Sequence, residues 1–205
     1  MRTSARVILA AVLLATSTTA GSQPVARPID MSSAPPEVTA AVDRANAAIQ
    51  QLQVTLISRL KEEMGRGGPK GAVSVCRDEA QQLTASVGKA HQLTIGRTSH
   101  QVRNPANAAR SWAAGIVASN AGRKMADAAP AVFDLGDRVG VLRPIGTMEM
   151  CVTCHGPREK VMAAIGDLLG TSYPDDRAVG FAAGDLRGWY WVEAPLGCLL
   201  LKPSR

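Results

Sequence analysis

The sequence predicts an α+β fold in which helices come first along the chain and antiparallel strands cluster towards its C-terminus. Two observations support this prediction. Apolar residues recur at steps of three or four through much of residues 38–88, which is typical of amphipathic helices. After residue 130, short runs rich in Val, Leu and aromatic residues are separated by glycine-containing turns, and such runs indicate strands.

The first 20 residues have the pattern of a secretory signal peptide. A basic start at Arg2 and Arg6 precedes an apolar run at 7–15, and Thr18-Thr19-Ala20 offers small residues for cleavage. We therefore expect a periplasmic protein, with membrane attachment only if the signal stays uncleaved. Residues 21–36, rich in Ser, Pro and Ala, are expected to be a flexible lead-in to a domain at 37–205.

The first predicted helix begins near residue 38 and carries an apolar stripe on one face. It is expected to end at Gly65 or at Gly67-Gly68-Pro69. We expect the stripe to pack within the domain, although its nearly heptad spacing also allows a dimer seam. The stripe consists of Val38, Val42, Ala45, Ile49, Leu52, Leu56 and Leu60.

A second helix is predicted from about Gly71 to Gly88. Its apolar face places Cys76 between the small residues Ala72 and Ala80. The remaining predicted elements are a strand at 93–96, a polar segment at 97–105, a helix at 107–128, strands at 131–135 and 139–145, a helix at 158–169, a turn-rich segment at 173–188 and a strand at 189–192.

Composition argues against a nucleic-acid-binding protein. The formal net charge is +6, but the basic residues form no run with interleaved aromatic residues. The 205 residues include only three Trp, two Tyr and two Phe. A core this poor in rings would gain from a large, planar, apolar cofactor that fills volume.

Cys151-Val152-Thr153-Cys154-His155 matches the attachment motif of c-type haem. Two thiols at this spacing add across the two vinyl groups of one porphyrin, and the next residue places an imidazole beneath the iron. A zinc site would need a second CxxC pair, and a thioredoxin-like pair would need a βαβ setting. The motif therefore predicts one covalently attached haem c, with His155 as an axial ligand.

The residues alone leave the second axial ligand open. The motif lies too late in the chain for a small helical cytochrome with a distant Met ligand, because the one later methionine, Met162, is seven residues past His155. His91 and His100 lie in polar surroundings. Small neighbours would let a flat macrocycle approach Cys76, although a buried free cysteine is also common as a small apolar residue.

Taken together, these motifs resemble the bacterial c-type haem domain family with a PAS-like fold, the Tll-type haem domains once catalogued as a domain of unknown function. The resemblance extends from about Val38 to the C-terminus and implies an antiparallel sheet with a long N-terminal helix and flanking helices. The matching residues are Ala72, Cys76 and Ala80; Arg97-Thr98-Ser99, Arg103-Asn104-Pro105 and Asn107; Cys151, Cys154 and His155-Gly156-Pro157; and Tyr173-Pro174, Asp176, Ala178, Gly180, Phe181, Gly184, Asp185 and Gly188.

The family's axial pair implies that His155 and Cys76 ligate the iron here. A thiolate ligand generally favours the ferric state and lowers the reduction potential. Arg97, Arg103 and Asn104 match the family's polar block. They could pair with haem propionates or orient ligand-bearing segments, and a solvated loop with a capping asparagine is the alternative.

The sequence departs from the family pattern at two places. Residues 108–112 replace a Pro-Asp-containing segment, and Cys198 is an additional cysteine. Cys198 could be a free thiol, or it could form a disulfide with Cys76 in an oxidising compartment. Such a disulfide would abolish ligation by Cys76.

Two functions follow as hypotheses. The first is a periplasmic redox sensor, or a sensor of a small gas such as NO or CO, that signals to a separate protein partner. The second is a low-potential electron carrier with a redox partner. Rapid ligand exchange on reduction would favour the sensor. An enzyme such as a peroxidase is not expected, because two strong axial ligands leave no open iron position.

Overall fold

The structure is a computed structural model that describes residues 26–197. In this part of the chain, a long helix packs against one face of a five-stranded antiparallel sheet of order β1-β3-β4-β5-β2. The strands are β1 (Arg27–Pro28), β2 (Thr94–Thr98), β3 (Ala131–Asp134), β4 (Arg138–Gly146) and β5 (Leu186–Pro195). The helices are α1 (Pro36–Ser74), α2 (Ala80–Ala90), α3 (Ala114–Ser119), α4 (Glu149–His155) and α5 (Arg158–Ser172).

The predicted α+β class and its long N-terminal helix are confirmed. Helix α1 begins with Pro36 at its first position, where the missing N–H costs nothing. Its stripe from Val38 to Leu56 is buried against the sheet, so it packs within the domain as expected. No helix between residues 26 and 197 is long and apolar enough to cross a membrane.

Helix α1 does not end at the predicted glycine-rich segment. Gly68 has φ +61° and ψ −155°, which kinks the helix, and the helix resumes at once at Pro69. Glycine tolerates this backbone conformation, and proline suits the first turn of the resumed helix. The chain then passes through a π-helical turn at Val75–Glu79 directly into α2. The helix predicted at 71–88 is therefore the last part of one continuous, irregular helical segment.

The strands alternate their side chains between two apolar layers. Val139 and Val141 of β4 face α1, while Leu142 faces a second cluster that also contains Phe133 and Trp189. This alternation is the period-2 pattern of a sheet buried on both faces. All four predicted strands are present, and β4 and β5 extend a few residues beyond the predicted bounds.

Part of the segment expected to be a flexible lead-in is ordered. Arg27 and Pro28 form β1 and pair with Asp134 and Phe133 of β3, and a short 3₁₀ turn follows at Met31–Ser33. The signal peptide proposed at 1–20 lies outside the described residues, as do residues 21–25 of the lead-in.

The prediction of a long helix at 107–128 is wrong. The segment contains only the short helix α3 and a 3₁₀ turn at Met125–Asp127. Tertiary contacts explain the difference: the Arg110 Nε and Trp112 Nε1 atoms each donate to Glu193 Oε1 at 2.8 Å, which holds the chain before α3 against β5. Gly122, with φ +73°, then turns the chain after α3.

Candidate cofactor site

A cavity of about 400 Å³ lies among α1, the π-helical turn, the ends of the central strands and α4. Its volume is within the range of about 300–1,000 Å³ that is usual for small-molecule sites. Three residues predicted to touch the cofactor line it from distant parts of the chain: Cys76, Cys151 and His155. Arg97, Arg103 and Asn104 line it as well.

Helix α4 carries the attachment motif and places its two cysteines differently. Cys151 lines the cavity, whereas Cys154 packs against the apolar cluster around Val161 and Tyr173. The helix stops at Gly156, where a Cβ atom would overlap the carbonyl oxygen of Val152. Only glycine therefore allows the chain to turn this tightly after His155.

His155 has one ring nitrogen committed to the protein. Its Nδ1 lies 2.7 Å from the carbonyl oxygen of Ala178, which can only accept, so Nδ1 carries the proton. Burial, reinforced by the positive charges of Arg187 and Arg103, lowers the pKa of His155 well below its usual range. The ring is thus a neutral imidazole whose Nε2 keeps its lone pair, as a metal-ligating histidine requires.

Residues 178–181 bind the end of α4 through the main chain. The amide of Gly180 donates to Gly156 O at 2.7 Å, and that of Phe181 donates to His155 O at 2.9 Å. With the His155 side-chain bond, these contacts fix both the backbone and the ring of the histidine. The sequence pattern identifies this segment only as rich in turns and does not reveal this role.

A buried ion pair lies behind the histidine. Arg103 Nη2 is 3.1 Å from Asp176 Oδ2, and both side chains are less than a tenth exposed. The same Nη2 donates to Cys154 O at 2.7 Å, and Asp176 Oδ1 accepts from the amide of Ala178 at 2.8 Å. Arg103 therefore contacts the protein around His155, in addition to lining the cavity.

Cys76 reaches the cavity from the π-helical turn. π-Helical turns are rare in proteins, and those that occur often lie at functional sites. Burial raises the pKa of the Cys76 thiol, and the charges of Arg97, Arg103 and Arg187 oppose that shift. The described cysteines, Cys76, Cys151 and Cys154, form no disulfide. Cys198 lies outside the described residues, so its pairing with Cys76 stays untested.

Three arginines crowd the cavity, and the sequence pointed to only two of them. Arg187, at the start of β5, joins Arg97 and Arg103 in the lining. The Nε atoms of all three are buried without a hydrogen-bond partner. Burial, together with Arg103 and Arg97, lowers the pKa of Arg187 to about 10. Asp176 neutralises Arg103, but no described carboxylate pairs with Arg97 or Arg187, so this part of the cavity is suited to an anion.

The other candidate residues divide between structure and site. Asn104 Oδ1 accepts from the amide of Ala106 at 2.9 Å and so caps a 3₁₀ turn, as the alternative interpretation proposed, although the residue also lines the cavity. Neither His91 nor His100 is among the described residues that line it. His91 contacts Gln51, and His100 packs edge-on against Phe181. Met125 and Met148 do line the cavity.

Comparison with known proteins agrees with the resemblance seen in the sequence. The crystal structure of the cyanobacterial haem protein Tll0287 matches with a TM-score of 0.57 and 26% sequence identity, over 79% of this chain and 97% of that one. No curated protein has significant sequence similarity to this chain. The model of the Tll0287-like family matches residues 3–195, so the chain belongs to the Tll0287-like family.

Proposed function

We propose that this chain is a periplasmic haem protein that acts as a redox or gas sensor. In this proposal, one haem c is attached through Cys151 and Cys154, with His155 and Cys76 as the axial ligands. One observation carries the proposal. Cys76, Cys151 and His155 converge on one cavity from the π-helical turn and from α4, although about 75 positions separate the first two in the sequence.

The residues around the cavity fit a haem. The His155 imidazole presents Nε2 as a ligand because Nδ1 is bound to Ala178 O. Arg97 and Arg187 line the cavity with buried Nε atoms and offer their guanidinium groups to two propionates; charge-assisted bonds of this kind are among the stronger hydrogen bonds in proteins. Leu56, Ile57 and Ile145 supply apolar wall for the macrocycle.

Bound haem would supply a one-electron iron couple and, where a protein ligand leaves, a position for NO or CO. The protein favours departure of Cys76 rather than of His155. Cys76 lies on a π-helical turn, a local departure from the regular hydrogen-bonding pattern of the α-helix. His155 is held by its ring nitrogen and by main-chain bonds to its own carbonyl oxygen and to that of Gly156. A signal from movement at Cys76 would pass to a separate protein partner.

A low-potential electron carrier with a redox partner is the second candidate. The observation that favours it is that Arg97, Arg103 and Arg187 line the same cavity as Cys76. Their charges oppose the rise in the Cys76 pKa that burial causes, and a thiolate that stays bound to iron in both oxidation states would give a reversible couple at low potential. We do not propose an enzyme, because the resting iron would carry two protein ligands and offer a substrate no open position.

Low-temperature EPR of the ferric protein, produced in a periplasm with haem-maturation machinery, tests the ligand pair. We expect a low-spin thiolate signature that Cys76→Ala abolishes and Cys198→Ala preserves. A low-spin signal with widely separated g values that is unchanged in Cys76→Ala would indicate a nitrogen or methionine ligand and contradict the Cys76–His155 pair. A protein that took up no haem would overturn the whole proposal.

Reduction of the same samples distinguishes the two functions. If Cys76 leaves the iron and CO or NO binds rapidly, the sensor is supported. If the couple is reversible and Cys76 stays bound, the electron carrier takes its place.

A further inference from the structure

We propose that Asp176 is a positioning residue for His155, which sets the orientation of the imidazole and its electron donation to the iron. This inference rests on the proposed haem ligation. Asp176 does not touch the cavity-facing ring nitrogen. It acts through the Ala178 peptide, whose amide it binds and whose carbonyl oxygen accepts from His155 Nδ1.

The two carboxylate oxygens of Asp176 have separate partners. Oδ1 accepts from the amide of Ala178 at 2.8 Å, and Oδ2 lies 3.1 Å from Arg103 Nη2. That Nη2 atom also donates to Cys154 O at 2.7 Å. Asp176 therefore connects the loop that accepts the hydrogen bond from His155 with the helix that carries His155.

This arrangement holds both partners of the bond between His155 Nδ1 and Ala178 O. Asp176 binds the Ala178 amide directly, and through Arg103 it binds the carbonyl oxygen of Cys154, next to His155. A metal-bound histidine donates more electron density when its other nitrogen makes a strong hydrogen bond, and this bond also fixes the ring plane. If the loop moves away from α4, the bond lengthens and the imidazole becomes a weaker donor. We expect the ferric state then to be less stabilised and the reduction potential to rise.

The charge of Asp176 also matches the cofactor. Three arginines face the cavity, and Asp176 neutralises one of them, which leaves two positive charges for the two propionates of a haem. A buried ion pair is by itself weak evidence for stability, because desolvation offsets the attraction. The placement of this pair between the histidine-bearing helix and its acceptor loop points to positioning.

Asp176→Asn tests the proposal in the full haem-loaded protein. The amide oxygen can still accept from Ala178 N, but the charge-assisted bond to Arg103 is lost. We expect a more positive reduction potential and altered ferric EPR g values, with covalent haem content unchanged. Asp175→Asn is the matched control, because it removes the same charge from the neighbouring, exposed position and should leave both readouts unchanged.

Arg103→Lys keeps the test decisive if Asp176→Asn does not fold. Lysine retains the charge, but its shorter side chain does not reach the position of Nη2, the atom that contacts both Asp176 and Cys154 O, so the same spectroscopic change is expected. Unchanged potential and g values in the folded variants would overturn the inference, as would equal shifts in Asp176→Asn and Asp175→Asn. A wild-type protein without His-ligated haem would instead refute the proposed function.

Discussion

The two proposed iron ligands are held in very different ways. The His155 side is fixed by a ring hydrogen bond, two main-chain bonds and the buried Arg103–Asp176 pair. The Cys76 side is a π-helical turn that follows a kinked helix. The buried Val75 anchors its start, and the Arg59–Glu79 ion pair, which is more than a quarter exposed at both side chains, braces its end. Exposed ion pairs contribute little, so the comparison separates a rigid ligand from a movable one.

The largest effect is expected from removing the anchor on the rigid side. In Cys151→Ala/Cys154→Ala, neither thioether can form. We therefore expect no haem to remain on the protein after denaturing electrophoresis. Each single variant should keep haem through its remaining thioether. Haem staining of the gel band is the measurement, and covalent haem in the double variant would show that another residue attaches it.

A smaller effect is expected at the charged end of the cavity. Arg187→Gln would remove the hydrogen bond proposed between Arg187 and a propionate. A bond to a charged group contributes about 1.5–3 kcal/mol, so the haem-loaded protein should melt roughly 3–12 °C lower. Arg177→Gln, at an exposed position, is the matched control.

The same variant should behave differently without haem. Without haem, Arg187 keeps only a 3.3 Å bond to Gln101 O and its contact with the Phe181 ring, and no described carboxylate neutralises it, so removing it from the Cys151→Ala/Cys154→Ala background should destabilise the chain much less. Equal destabilisation with and without haem would mean that Arg187 supports the fold rather than the cofactor.

The smallest effect is expected from the brace on the movable side. Glu79→Gln weakens the bonds from Arg59 Nε and Nη2, which are 2.7 and 2.9 Å long. Because both side chains are partly exposed, the ratio of Cys76-bound to Cys76-free iron after reduction should fall only a few fold. Visible spectra measure this ratio. Glu62→Gln, which removes a different partner of Arg59, should leave it unchanged.

Acid should reproduce this change in the wild type. The bonds from Arg59 lower the pKa of Glu79 below its usual value near 4.5. The stabilisation by the pair is therefore fully present above that value and is lost as the pH falls through the lower, folded-state pKa. Glu79→Gln should lack this transition, and a transition of equal size in the variant would assign it to another group.

The sequence predicted best those features that depend on local pattern. The stripe of α1 and the four strands are where the periodicity places them, because each reflects one buried face. The helix predicted at 107–128 failed because Glu193, far away in the sequence, binds Arg110 and Trp112. The sequence predicts the end of α1 where the structure has a kink at Gly68, because glycine and proline occur both at helix ends and at kinks.

The site was predictable where side chains form motifs and not where main-chain groups act. The attachment motif is visible in the sequence, and Cys76 followed from family resemblance. Arg187 is a single arginine at the start of a strand and belongs to no motif. The partner of His155 Nδ1 is the carbonyl oxygen of Ala178, which any residue would supply. The π-helical turn has no known sequence signal comparable to a helix cap.

The topology of the sheet has a consequence for how the chain folds. Strand β5 lies between β4 and β2, and β2 pairs with no other strand of the described sheet. Because β5 is the last strand along the described chain, β2 has no partner until nearly all of the chain is available. Such distant pairing makes folding slow, roughly milliseconds to seconds for domains dominated by non-local contacts. A chain truncated before Leu186 would lack β5, the strand with which both β2 and β4 pair. It would also lack the wall of the cavity that Arg187 and Tyr190 provide.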